Sequence, residues 1–130
     1  MILGKTEINL SDYLYDFCNA AKLAREITGT IFKNEGNWFD DNKFNNAFKH
    51  AMWAFLMANS SLGLDAAKTI LANHEFGEIG CSTEMDVANN LIGIGLYESG
   101  IRSSDDAAYL LARMELWIIG GSNCIVKSFR

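Results

Sequence analysis

Proline is absent from all 130 residues, so no helix is forced to kink and every helix end has to come from a cap or a glycine. Cations are in the minority, 11 Lys and Arg against 16 Asp and Glu, for a net charge of −5. A sequence-independent grip on nucleic-acid phosphates needs clustered cations that release counterions, so this balance argues against nucleic acid as a partner. Long apolar runs are also missing. The longest are interrupted by Asn90, Glu98, Arg113 or Glu115 before the ~20 residues that a membrane-spanning helix requires. The opening MILGKTEINL has no basic stretch followed by an apolar core and a small-residue cleavage site, and is not read as a secretory signal. Cysteine is scarce: Cys18, Cys81 and Cys124 are far apart, odd in number and without a CxxC pair, which reads as reduced thiols in small, mostly buried positions. No glycine-rich phosphate loop, dinucleotide fingerprint or serine-nucleophile motif occurs.

What is present suits a globular chain. An apolar fraction of 49% is ordinary for a folded domain, and a chain of this length can bury roughly two-thirds of its extended surface. Three-and-four spacing of Leu10, Leu14, Phe17, Ala21, Ala24 and Ile27 predicts a first helix from Asn9 or Ser11 to about Thr28, with Gly29 as its stop. Residues 33–42, KNEGNWFDDN, suit an ordered loop. Further helices are expected over 43–62, 64–75, from Thr83 to just before Gly100, and from Ser103 to Gly120–Gly121. Thr83 with Asp86 and Ser103 with Asp106 have the spacing of capping boxes. The tail SNCIVKSFR is β-branched and reads as strand-like, without an evident partner. The expectation is an all-α fold, one domain over residues 1–130, built as a compact bundle of about five helices.

Three of these helices carry polar residues where burial is expected. On the second, Asn46, His50, Trp53 and Met57 form a stripe beside the apolar face of Phe44, Phe48, Ala51, Met52 and Phe55. On the third, His74 follows Ala67, Ile70 and Leu71 at seven, four and three residues, which puts it on the buried side of the last turn, next to Glu75. On the fourth, Asp86, Asn89, Asn90 and Gly93 share a side among apolar neighbours. Gly93 and Gly95 each cost about 1 kcal/mol relative to Ala inside a helix, a cost that close approach of a helix or ligand would explain. A lone buried histidine is more often a hydrogen-bonded core residue than a ligand, and an early helical Asp is usually a cap. Yet each buried polar group left without a partner costs about 1–3 kcal/mol, so these groups are expected to meet in one internal polar centre.

The succession NAFKHAMW, ANHEFG and MDVANNLIG resembles a small helical domain of bacterial secreted and polymorphic-toxin-like proteins, with the pattern NAFRHAxW, AHE and MDxxNNxxG. Lys49 stands where that pattern has Arg, and supplies charge without a bidentate fork. The resemblance implies a toxin or effector, soluble, exported by a specialised secretion system without a signal peptide, and accompanied by a cognate immunity protein or a delivery domain. It places weight on Asn46, His50, Trp53, His74, Glu75, Asp86, Asn89 and Asn90.

Two imidazoles and two carboxylates suffice for hydrolysis in two ways. With a divalent metal as cofactor, His50, His74 and Asp86 or Glu75 could hold Zn²⁺ or a similar ion with a position open for water. Without one, a histidine oriented by a carboxylate acts as general base. His50, His74, Glu75 and Asp86 are then the catalytic candidates, and Asn46, Lys49, Trp53, Asn89 and Asn90 the substrate-binding ones. Cys81, just before a helix N-terminus, is a third-ranked nucleophile. Taken with the toxin-like resemblance, the acidic balance favours an envelope substrate such as a phospholipid or a cell-wall precursor over DNA or RNA. The reading from a different class is a non-enzymatic binding module, immunity- or inhibitor-like, whose polar centre fixes helix register.

Overall fold

In the computed structural model, which describes residues 2–3, 6–7, 10–33 and 43–130, the hydrophobic centre is a single helix, α2 (Phe44–Ala58). Its sequence is apolar on nearly every side, and the fold answers by surrounding it. Four helices, α1 (Leu10–Phe32), α3 (Leu64–His74), α4 (Cys81–Glu98) and α5 (Ser104–Leu111), pack against it, as does strand β3 (Leu116–Ile119). Phe48, Met52, Phe55 and Met57 of α2 are wholly buried. The chain is all-α in character, with two small antiparallel hairpins: β1 (Ile2–Leu3) with β2 (Thr6–Glu7), and β3 with β4 (Ile125–Ser128).

Several boundaries differ from those read off the sequence. Helix α1 runs through Gly29 to Phe32, because Asp16, Ala20, Ala24, Thr28 and Phe32 form an uninterrupted buried stripe at four-residue spacing. The Thr28 hydroxyl donates to the Ala24 carbonyl at 2.7 Å, which removes the penalty of burying it. The loop expected over 34–42 lies outside the described residues. Helix α2 ends at Ala58, four residues early. Helix α4 begins at Cys81, with Gly80 as its cap and no side-chain cap bond, so the Thr83–Asp86 box does not form. The Ser103 box does, its hydroxyl accepting from the Asp106 N–H at 3.3 Å.

The largest difference is at the C-terminal end. Helix α5 stops at Leu111, and the segment expected to extend it becomes β3, paired with the tail in the register Leu116 with Ser128 to Ile119 with Ile125. Long-range partners hold this hairpin. The Asn89 amide donates to the Trp117 carbonyl at 2.8 Å and its carbonyl accepts from the Trp117 N–H at 2.9 Å. Cys81 and Cys124 are joined in a disulfide across a sequence separation of 43 residues. This overturns the reading of three reduced, mostly buried thiols: two are paired, and Cys18 is free and exposed.

Helices α2 and α4 meet at Gly93. A Cβ there would stand 2.0 Å from the Ala51 carbonyl oxygen, so glycine permits the approach. Gly95 has open space around its Cβ direction, and close approach does not account for it.

Candidate functional site

Of the fifteen residues of α2, all are buried except Lys49 and His50. Among the described residues, the central helix therefore reaches the outside at Lys49 and His50, which line a cavity of about 230 Å³. Helix α1 contributes Phe17, Ala21, Ala24 and Arg25 to its wall, α2 contributes Lys49, His50 and Trp53, and α3 contributes His74. The two alanines leave the space, and the rings furnish the floor. Trp53 meets Phe17 edge-on at 5.4 Å and His74 at 5.1 Å between centroids, and His50 at 6.5 Å.

Behind the wall stands α4. Asp86 Oδ1 lies 3.2 Å from His50 Nε2, with the two side chains 17% and 20% exposed. Burial first, then the positive charges of Lys49 and His74, push the His50 pKa down from 6.5 to about 4. The Asp86 carboxylate pulls the other way, since an adjacent anion favours the imidazolium. Burial prevails, and His50 is neutral at pH 7; we assign its proton to Nε2, the nitrogen that lies beside the Asp86 carboxylate. Its Nδ1 keeps a lone pair, is buried, and has no hydrogen-bond partner among the described residues. The Trp53 Nε1–H is buried and without a partner in the same sense. One unmatched acceptor and one unmatched donor thus sit on neighbouring turns of the same wall.

The electrostatic character is one-sided. In a chain of net charge −5, the cavity is lined by Arg25, Lys49 and two imidazoles, and by no carboxylate among the described residues. Such a lining favours an anionic occupant over the same occupant in water.

The residues singled out in the sequence distribute as follows. His50, Trp53, Lys49 and His74 share the cavity, and Asp86 contacts His50 from behind. His74 is exposed rather than buried, because α3 ends there and its ring lies at the rim, against Trp53 and Phe17. Asn46 is buried near the start of α2, outside the cavity lining. Glu75 is buried at the C-cap of α3, where burial raises its carboxyl pKa, His74 lowers it and Glu78 raises it. Asn89 is occupied with Trp117. Asn90, buried with its Oδ1 unpartnered among the described residues, lines a separate cavity with Lys68, Leu71 and Leu91. Among the described residues, the polar centre expected from three helices is represented by the contact of His50 with Asp86, while Asn89 is taken up by Trp117 and Asn90 lines the other cavity. Among the described residues, His50, His74 and Asp86 do not bring their donor atoms within 4.8 Å as a set. The group that does is Cys81, Glu84 and Cys124.

Phe17 and Arg25 were not anticipated. Their signal is the stripe Phe17, Ala21, Arg25 at four-residue spacing, a bulky and a cationic side chain flanking a small one, which is how a helix face hollows.

Residues 8–115 match the family model described as Domain of unknown function (DUF6973). The chain belongs to this family. The DUF6973 match spans α2, α3 and α4 complete, and so takes in the whole cavity wall and Asp86. No curated protein and no solved structure matches the chain.

Proposed function

We propose that this DUF6973 chain is a toxin- or effector-type hydrolase whose site is the cavity at Lys49 and His50, acting on an envelope substrate with an anionic group, a phospholipid or a cell-wall precursor. The observation that carries the reading is the coincidence, where Lys49 and His50 leave helix α2 partly open among the described residues, of a neutral imidazole backed by a carboxylate with a cationic wall. In this reading His50 Nδ1 accepts a proton from water as the water attacks the ester, and returns it to the leaving oxygen. Asp86 holds the Nε2–H and stabilises the transient imidazolium. The Trp53 N–H and the charges of Lys49 and Arg25 receive the negative oxygen that develops. The aromatic floor takes an apolar portion of the substrate. No metal is required, although His50 and Asp86 are chemically competent ligands.

The disulfide supports an oxidising destination, since such bonds persist mainly outside the cytosol. It fits export through a specialised secretion system, with a cognate immunity protein or a delivery domain as partner. The non-enzymatic, immunity-like reading draws on one observation, that Asn89 serves the fold alone.

The test is release of product from vesicles of anionic phospholipid and from a lipid-linked cell-wall precursor by the purified protein. Turnover by wild type and at least about a hundredfold less by His50→Gln, with unchanged circular dichroism, supports the reading. Equal rates for the two proteins contradict it.

A further inference from the structure

Away from the cavity, the N-terminal turn of α4 faces the hairpin. Cys81 and Glu84 are three residues apart and project from the same side of that turn, and Cys124 comes from the short connection between β3 and β4. Their ligand atoms all lie within 4.8 Å of one another. In the oxidised chain the two sulfurs are bonded, yet Glu84 Oε2 stands 2.8 Å from Cys124 Sγ. A disulfide sulfur has no proton to offer, so a carboxylate gains nothing from it by hydrogen bonding. The same approach is favourable when a thiol proton or a cation lies between them. Cys124 also has φ +66°, alone among the described non-glycine residues in being positive. Side chains adopt that backbone reluctantly, and here it presents a sulfur to α4.

We propose that, with the disulfide reduced, Cys81, Glu84 and Cys124 form a binding site for a thiophilic divalent cation such as Zn²⁺. Two thiolates and one carboxylate are a donor set that zinc accepts in tetrahedral geometry, with water in the fourth position. Zn–S bonds of about 2.3 Å place two sulfurs roughly 3.8 Å apart, a separation that opens once the covalent bond is gone. The step balances simply. A dithiol reductant delivers two electrons and two protons, the Cys81–Cys124 bond breaks and the reductant closes its own disulfide. The cation then displaces both thiol protons to solvent. The hairpin is held to α4 in either redox state, covalently when oxidised and through the metal when reduced.

The full chain, reduced with a dithiol and desalted under argon, is titrated with Co²⁺ and then with Zn²⁺. The expected result is a thiolate-to-cobalt charge-transfer band that saturates at one equivalent and is abolished by Zn²⁺. The oxidised protein, folded and unmutated, gives no band. Glu84→Gln, an exposed position, weakens binding by at least about tenfold while keeping the band, Cys124→Ser loses it, and His50→Ala leaves it unchanged. The proposal is overturned if the reduced wild type gives no band, if Glu84→Gln binds as tightly as wild type, or if the oxidised protein binds equally.

Discussion

The imidazole of His50 is surrounded from four helices: Lys49 on its own, Arg25 on α1, His74 on α3 and Asp86 on α4. Its pKa in the fold, about 4, lies below the 6.5 of an unfolded chain. Between those values the unfolded state takes up a proton that the folded state refuses, so stability falls as pH drops from about 6.5 and stops falling near 4. The full effect is about 3 kcal/mol. Denaturant midpoints of wild type and His50→Gln across this window check it, and the variant is expected to lose most of the slope. A second prediction separates function from structure at Trp53. Its N–H has no partner to lose among the described residues, so Trp53→Phe should cost only about 1 kcal/mol. Activity should drop about tenfold to a hundredfold if that N–H receives the developing oxyanion. Thermal unfolding beside turnover decides between the two. His50 was legible in the sequence because a polar group on an apolar face must find a partner, and Asp86 was offered at the right depth.

At the level of elements, the α2–α4 contact sets the His50–Asp86 distance, and Gly93 sets the contact. Gly93→Ala drives a methyl group into the Ala51 carbonyl and is expected to cost about 3 kcal/mol, with activity falling alongside. Gly95→Ala, in open space on the same helix, should instead stabilise by about 0.5–1 kcal/mol. Opposite signs in chemical denaturation check the pair. The β3–β4 hairpin depends on Asn89. Asn89→Ala removes both of its bonds to Trp117 and is expected to cost about 2–3 kcal/mol, with faster hydrogen exchange at the β3 amides. This is where the sequence was least informative. The five helices announced themselves through periodicity and glycines, but 104–119 reads as one helix because no residue marks a stop after Leu111. What ties the hairpin to the bundle is the Asn89 side chain and a cysteine 43 residues from its mate, and no local pattern encodes either. For the same reason Asn89 looked like a ligand-binding amide when its partner was a backbone strand.

For the molecule as a whole, the disulfide ties the last hairpin to a bundle already closed around α2. Loop-closure entropy over its 43-residue separation corresponds to about 4 kcal/mol. Reduction in the presence of a chelator should therefore lower the melting temperature clearly while leaving the helical circular dichroism in place at 25 °C. The central claim is that the opening at Lys49 and His50 is a working site and not a packing device. It is tested most directly by expressing the chain in bacterial cytoplasm and in periplasm, wild type beside His50→Ala, and following growth. The account predicts arrest in the periplasm only, abolished by a substitution that leaves a folded and equally abundant protein. Growth unaffected by the wild type in both compartments, or arrest that persists with His50→Ala, would contradict it.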